Sequence, residues 1–380
     1  MKVALELQPC CGDRSGVGTY AYELARRLTD RDGLEFCGDL FNFCGRNDVS
    51  RYLRGIHMPI RESRLLPYGI YRRIWDAAPI PYGSLFPGGA DLTVFFNYIV
   101  PPRVAGKVAT TIYDLTYLRF PETMQAGNLR RIRKGIGRSI RRSDRIVTIS
   151  EFSKRELMEL LDVPEEKIRV VYTAPSPPEE PADFQTCQEK FRIQRPYLSY
   201  VGTIEPRKNL ERLLLAFELL KQEHHIPHQL VLAGGKGWQD EGIYRTAAGL
   251  SCARDVVFTG YVTQAEKSAL YRNADAFVFP SLYEGFGMPP LEAMAQGCPV
   301  VCSGAASLPE VVGDAAELVD PLEVEDIARG IWRVLSDSGH AAGLAQRGRR
   351  QAKRFTWDAS AQALARVCQE LSEGPPCTRP

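Results

Sequence analysis

Short apolar runs alternate with amphipathic stretches along almost the whole chain of 380 residues. That alternation confines the fold to parallel sheets covered by helices, because neighbouring parallel strands need a crossover that a helix supplies. In the first half, residues 1–7, 91–96, 108–112 and 145–149 read as strands, and residues 18–28 and 128–142 as helices. Residues 172–181 carry Pro175, Pro177, Pro178 and Pro181, a composition that marks a linker. A second α/β unit restarts beyond it, with strands at Tyr197–Val201, Gln229–Ala233, 256–259 and Ala276–Phe279 and helices at 210–221 and Gln264–Asn273. The expected architecture is α/β, two Rossmann-like domains facing across a cleft, residues 1–181 and 182–356. A last helix, 357–371, is expected to return to the first domain, and 372–380 to form a disordered tail.

Composition narrows the class. Hydrophobic residues make up 44% and charged residues 25%, as in a soluble globular protein. No apolar run is long enough to span a bilayer. The N-terminal run is too short for a signal peptide and is interrupted by Glu6. Ten scattered cysteines without a C-x-x-C pair then read as reduced thiols of a cytosolic protein. Cys298 and Cys302 flank an apparent strand and read as core thiols. His224, His225 and His228 read as solvated loop residues rather than metal ligands. The net charge is only +2, but residues 1–150 hold 23 basic and 14 acidic side chains. The first domain therefore favours anionic partners.

Three segments carry chemistry. The most specific is Pro280-Ser281-Leu282-Tyr283-Glu284-Gly285-Phe286-Gly287-Met288-Pro289-Pro290-Leu291-Glu292, which turns from a strand into a short helix, 291–296, closed by Gly297. A helix start at a strand end is an anion site. The acids Glu284 and Glu292 beside it suit hydroxyls, since a carboxylate accepts hydrogen bonds. Amides for an anion next to acids for a polyol fit a sugar nucleotide. Taken singly, Glu292 also reads as an acid favoured by a first helical turn, and Glu284 as a solvated loop acid. The second segment, Gly202-Thr203-Ile204-Glu205-Pro206-Arg207-Lys208-Asn209, puts two cations at the end of a strand, where they suit a diphosphate. The third, Gly12-Asp13-Arg14-Ser15-Gly16-Val17-Gly18, is a glycine loop after the first strand. It lacks the full dinucleotide spacing, which disfavours a nicotinamide cofactor.

Together with Thr148-Ile149-Ser150-Glu151-Phe152-Ser153-Lys154, Gly260-Tyr261-Val262 and Ser307-Leu308-Pro309-Glu310-Val311, these segments resemble a retaining glycosyltransferase of family 4, which has the GT-B fold. The resemblance implies that the first domain takes the acceptor and the second the nucleotide-sugar donor. It implies that Lys208 binds the diphosphate, Glu292 holds the ribose and Glu284 contacts the transferred sugar. The amides of Gly285, Phe286 and Gly287 would meet sugar hydroxyls and phosphate, and Leu291 belongs to the same nucleotide-binding stretch. Gly16 and Gly18 would face the diphosphate, and Val262 would border the base. Two positions depart from the family pattern. Thr203 stands where arginine is frequent, so Arg207 is expected to supply that charge. Tyr113-Asp114 stands where a His-Asp pair is common. Tyrosine is a poor base near neutral pH, which leaves Asp114 to orient Tyr113 or the acceptor.

The run Glu205-Pro206-Arg207-Lys208-Asn209 is similar to that of bacterial mannosyltransferases of polysaccharide assembly, so GDP-mannose is the first donor expectation, with a saccharide or lipid-linked saccharide as acceptor. No metal is expected: Arg207, Lys208 and the helix amides would stabilise the departing nucleoside diphosphate, whose phosphate would take the acceptor's proton. The string Asp30-Arg31-Asp32 reads as a surface turn. Two other readings stand beside transfer: a GT-B sugar-nucleotide epimerase, and a catalytically weak nucleotide-sugar-binding protein, the latter prompted by Tyr113. The basic stretch 129–142 has an apolar stripe of Ile132, Ile136 and Ile140 and another face of Arg130, Lys134, Arg138 and Arg141. It reads either as a helix docked on its own domain or as a surface for anionic membrane at the cytoplasmic face. No nucleic-acid reader motif accompanies it.

Overall fold

The computed structural model describes residues 1–12, 16–30, 32–45, 48–75, 80–177 and 179–374. Asp13, Arg14 and Ser15 of the glycine loop, Arg31 of the Asp30-Arg31-Asp32 string, Pro178 of the linker and residues 375–380 of the tail lie outside the described residues. The chain divides into two compact units. Unit 1 comprises Met1–Leu115, Ala126–Thr173 and Trp357–Pro380, and unit 2 comprises Thr116–Gln125 and Ala174–Thr356.

Unit 1 is built on β1 (Lys2–Glu6), β2 (Glu35–Phe41), β3 (Ile60–Ser63), β4 (Leu92–Phe95), β5 (Lys107–Thr111), β6 (Arg145–Thr148) and β7 (Ile168–Val170). All pair in parallel, in the order β3-β2-β1-β4-β5-β6-β7. Unit 2 is built on β8 (Tyr197–Val201), β9 (Gln229–Ala233), β10 (Val256–Gly260), β11 (Ala276–Phe279), β12 (Val300–Ser303) and β13 (Glu317–Val319), also parallel, in the order β10-β9-β8-β11-β12-β13. Both are Rossmann-like sheets. Every residue of β8, β9 and β11 is buried, the pattern of strands covered by helices on both faces. The strand order reverses between β1 and β4 in one sheet and between β8 and β11 in the other. Ligands of open α/β sheets bind at the carboxyl ends of the strands at such reversals.

Helix starts shift from the sequence expectation for local reasons. The helix after β1 runs Gly16–Ala25, and the helix after β11 runs Met288–Ala295. The latter begins ahead of residue 291 because Pro289 and Pro290 fit a first turn, where a missing N–H costs nothing. The basic helix runs Ala126–Arg142 and buries Ile132 and Ile136. The hydroxyl of Ser139 on the same face accepts the Val100 amide at 2.9 Å. The isoleucine stripe is thus docked on unit 1, while Arg130, Arg133 and Arg141 are exposed. The last helix, Trp357–Glu373, also belongs to unit 1. Trp357 meets the Tyr20 ring edge-on at 6.1 Å, and Arg27 and Asp358 pair at 3.2 Å. No helix among the described residues is long and apolar enough to cross a membrane.

Candidate active site

The reversal point of unit 2 brings two of the sequence segments together. The chain leaves β8 through Gly202 and runs beside the loop after β9, so close that a Cβ on Gly234 would lie 1.8 Å from the Gly202 carbonyl oxygen. It then makes a short turn, Pro206–Lys208, and passes Asn209 at φ +61°, a left-handed conformation that asparagine tolerates. The Asn209 side-chain amide donates to the carbonyls of Pro280 (3.1 Å) and Pro321 (2.6 Å). The Leu282 amide in turn donates to the Arg207 carbonyl at 3.0 Å. The two loops are therefore laced together by the Asn209 side chain and by backbone groups.

That lacing sets Glu284 between two cations. Lys208 Nζ lies 2.5 Å from Glu284 Oε1, and an Arg207 terminal nitrogen lies 3.1 Å from Oε2. Ser281 Oγ donates to Oε1 at 2.6 Å. Arg207 also pairs with Glu205 at 2.7 Å and donates to the Tyr283 carbonyl, while Lys208 sits 5.3 Å over the Phe279 ring. Burial acts to raise the Glu284 carboxyl, but the charges of Arg207 and Lys208 and the bonds from Lys208 and Ser281 outweigh it and hold the group at about 2. Burial and the neighbouring Arg207 charge push Lys208 down, against the pull of Glu284 and Glu205. Two buried acids compensate two cations, so the cluster is neutral as a whole.

Glu292 has different partners. Its Oε2 pairs with Lys267 at 2.8 Å and accepts the Tyr271 hydroxyl at 3.2 Å, and its Oε1 accepts the Ser176 amide at 3.3 Å. Between the two acids, Gly287 turns at φ +105°, where a Cβ would come within 2.5 Å of Leu308. Ser307 Oγ bonds the carbonyls of Glu284 (2.8 Å) and Phe286 (3.0 Å), which pins the loop. Pro289 and Pro290 remove two of the amides that a helix start otherwise offers, so an anion here depends on the loop amides as well. Leu291 and Phe286 are buried, with Phe286 edge-on to Phe355 at 5.3 Å, and Val262 follows β10 at the sheet edge.

The unit 1 candidates follow β1 and β5. Gly16 and Gly18 open the first helix, Gly16 exposed and Gly18 buried. The Tyr113 hydroxyl donates to the Phe96 carbonyl at 3.2 Å, and its ring meets Tyr20 edge-on at 5.5 Å. Burial raises its phenol well above the ordinary tyrosine value, so it offers no base at neutral pH. Asp114, next to it, is half-buried. Sequence reasoning did not single out Ser281, Ser307, Lys267 or Tyr271 as partners of the two acids. Ser281 was readable as part of the specific block; Lys267 and Tyr271 come from a helix packed against it, which no local pattern announces. Among the described residues no group of three or more His, Cys, Asp or Glu is placed to hold a metal. His224 instead stacks on Trp332 at 3.9 Å.

Comparison with known proteins agrees with this layout. Residues 14–174 match the family model described as Glycosyltransferase Family 4, and residues 183–351 match Glycosyl transferases group 1. The O-antigen chain mannosyltransferase B of Escherichia coli is 32% identical over 379 residues, covering 94% of this chain and 97% of that protein. Two solved structures share the fold. Sucrose-phosphate synthase from Thermosynechococcus elongatus has a TM-score of 0.73 at 20% identity, covering 98% of this chain and 99% of that one. Anabaena HepE, in complex with UDP and glucose, has a TM-score of 0.71 at 17% identity, covering 97% of this chain and 100% of that one. Two parallel Rossmann-like sheets, a charged cluster at the reversal point of the second, and a full-length relative at this identity lead to one conclusion: the chain belongs to the family 4 glycosyltransferases of the GT-B fold and is a hexosyltransferase.

Proposed function

We propose that the chain is a retaining, metal-independent mannosyltransferase that takes mannose from GDP-mannose and adds it to a saccharide or lipid-linked saccharide. The observation that carries this reading is the Arg207–Glu284–Lys208 cluster at the carboxyl ends of β8 and β11. The mannosyl assignment draws on the E. coli relative, whose name is that of an O-antigen mannosyltransferase. Glu284 holds both cations at fixed positions. A diphosphate entering there exchanges its oxygens for the carboxylate on Arg207 and Lys208, which releases Glu284 toward the hydroxyls of the sugar. As the sugar–phosphate bond lengthens, charge grows on the diphosphate and the two cations stabilise it without having to reorganise. With Tyr113 unable to act as a base, the departing phosphate takes the acceptor's proton, which places the acceptor on the face the leaving group vacates and retains the configuration. Glu292 takes the ribose hydroxyls; Lys267 and Tyr271 keep its carboxylate oriented meanwhile. Unit 2 holds the donor and unit 1 the acceptor, and the exposed arginines of the helix Ala126–Arg142 are a contact for anionic membrane at the cytoplasmic face.

A panel of GDP-, UDP- and ADP-sugars read by thermal shift, followed by NMR of the product, tests the reading. GDP-mannose should raise the melting temperature most. The new linkage should show the anomeric coupling of the donor. A product of inverted configuration contradicts the mechanism, sugar interconversion without release of nucleotide identifies an epimerase, and binding without turnover identifies a pseudoenzyme.

A further inference from the structure

The outer edge of the unit 1 sheet carries a cavity lined by none of the residues assigned to the donor. β3 is the edge strand. The carbonyls of Pro59 and Ser63 accept from Gly38 and Asn42 on β2. In a parallel ladder the intervening residues turn their backbone groups the other way, so those of Ile60 and Glu62 face the open edge. The segment Gly83–Gly89 runs alongside that edge. Arg61 fastens it there by donating to the carbonyls of Pro87 (3.3 Å) and Gly89. Between strand and segment lies a cavity of about 470 Å³, with Glu62, Ser63, Arg64 and Leu65 on one wall and Gly83–Gly89 on the other. Its volume is that of a small-ligand site.

Three polar side chains on the strand wall keep bonding capacity. Ser63 is 1% exposed, and its hydroxyl has no hydrogen-bond partner among the described residues. Buried hydroxyls are as a rule satisfied, and one that lines a cavity is satisfied by what fills the cavity. Glu62 takes all its donors on one oxygen: Asn42 Nδ2 at 3.0 Å and Arg64 Nε and Nη2 at 3.2 and 3.1 Å all reach Oε2. Among the described residues, Glu62 Oε1 and Arg64 Nη1 keep no partner. A carboxylate oxygen accepts, a guanidinium nitrogen donates and a hydroxyl does both, which together match the hydroxyls of a polyol. The charges of Glu62 and Arg64 cancel, so the cavity favours a neutral ligand over an anion. A peptide added as a further strand fits less well. β3 has only four residues, Ile60–Ser63, and Arg61 closes the amino-terminal end of its edge onto Gly89.

Ser63 ends β3, and the carboxyl ends of parallel strands open on one side of a sheet, where β1 leads toward Gly16 and β5 toward Tyr113 and Asp114. β3 lies two strands from β1, roughly 10 Å at the usual strand spacing. A saccharide whose reacting end lies at β1 can therefore reach the cavity with a residue further along its chain. We propose that the cavity between β3 and Gly83–Gly89 is a subsite for a neutral sugar residue of the acceptor chain, one removed from the residue that receives the hexose. Ser63, Glu62 and Arg64 bond its hydroxyls. The proposal rests on the glycosyl-transfer reading above and adds to it a preference for longer acceptors.

Kinetics with α-linked mannobiose and mannopentaose as acceptors test this, on the full chain and with the nucleotide sugar that the donor panel selects. The wild type should show a KM about tenfold lower for the pentaose. Ser63→Ala and Glu62→Gln should each raise the pentaose KM about threefold or more. Gly83→Trp should abolish the preference for length: a Cβ there would meet nothing within 4 Å, so the indole fills the cavity without displacing the chain. Circular-dichroism melts close to the wild type guard against a result due to misfolding. Saturation-transfer NMR of the pentaose without donor should rank the variants in the same order. A wild type indifferent to acceptor length in both assays overturns the proposal, as do variants that leave the pentaose KM and binding unchanged. Pentaose binding that Gly83→Trp abolishes, in a protein that transfers sugar from no nucleotide donor, would leave the subsite standing and remove the transferase reading instead.

Discussion

Glu284 and Glu292 lie in one sequence block, yet they answer to different partners, and that difference decides what each substitution does. Glu292→Ala removes a carboxylate bound by Lys267 and Tyr271 away from the cation pair, so it should mainly weaken binding of GDP, the proposed nucleotide, by about tenfold in Kd from calorimetry. Glu284→Ala strips the counter-charge from two buried cations, and bound diphosphate can restore that charge. It should leave GDP affinity similar or tighter and lower kcat by a hundredfold or more; equal losses of GDP affinity in both variants would count against the division of labour. Glu6 supplies a prediction of opposite sign for stability. Its folded pKa of about 8 lies above the ordinary carboxylate value of 4.5, so its protonated form favours the folded state. That stability is complete below pH 4.5 and is lost as pH rises toward 8. Glu6→Gln keeps the shape of the protonated acid and does not titrate. The variant should melt close to the wild type at pH 5 and above it at pH 8.5, by an amount worth up to a few kcal/mol. A variant that differs from the wild type by the same amount at both pH values would show that this carboxyl does not titrate between them. Glu284 and Glu292 of unit 2 stand out in the sequence because they lie in one contiguous block, and their partners are what the structure adds. Glu6 does not stand out, because what makes it unusual is that it has no hydrogen-bond partner among the described residues, in a row spread over residues 6, 39 and 61.

At the level of elements, the sequence specifies strands better than their surroundings. Tyr197–Val201, Gln229–Ala233 and Ala276–Phe279 stand where apolar runs predict them, since strands buried on both faces are apolar throughout. β2 is harder to read because Gly38 and Asp39 interrupt its pattern, and Asp39 is paired with Arg61 from the next strand. The stretch Thr116–Gln125 lies in the first half of the sequence but belongs to unit 2, where Phe120 packs on Tyr283 at 5.6 Å and Trp238 donates to the Thr123 carbonyl. Such placement depends on contacts more than a hundred residues away. The basic helix Ala126–Arg142 is docked on its own domain, one of the two readings its pattern allowed, and the membrane reading is a proposal to be tested. Its isoleucines are docked, and Arg130, Arg133 and Arg141 stay exposed. Changing these three to glutamine should alter thermal stability by less than about 0.5 kcal/mol each. If the helix meets anionic lipid, each arginine contributes about 1 kcal/mol, so the triple variant should lose roughly a hundredfold in partition to phosphatidylserine vesicles in a flotation assay. Wild-type protein that ignores lipid charge would remove the membrane contact and leave the docked helix as the whole account.

Taken as a whole, the molecule has an asymmetric chain path. Apart from Thr116–Gln125, unit 2 is one continuous stretch, while unit 1 needs three, the last of them the terminal helix. That helix buries Trp357, Leu364, Val367 and Leu371, each 4% exposed or less. At about 1.5–3 kcal/mol per buried apolar side chain, the four contribute roughly 6–12 kcal/mol, which is comparable with the full stability of an ordinary domain. The ion pairs at Arg27–Asp358 (3.2 Å) and Arg169–Glu370 (2.8 Å) add little, being largely exposed. A chain ending at Thr356 should therefore lose unit 1 while it retains the residues proposed to bind the donor, all but Gly16 and Gly18 of which lie in unit 2. Limited proteolysis should cut the truncated protein throughout residues 1–115 and spare 182–356, and GDP should still protect the surviving fragment. A truncated chain as resistant as the full one in both regions would show that the terminal helix is dispensable, and that the core of unit 1 is carried by the sheet and the helix Ala126–Arg142 instead.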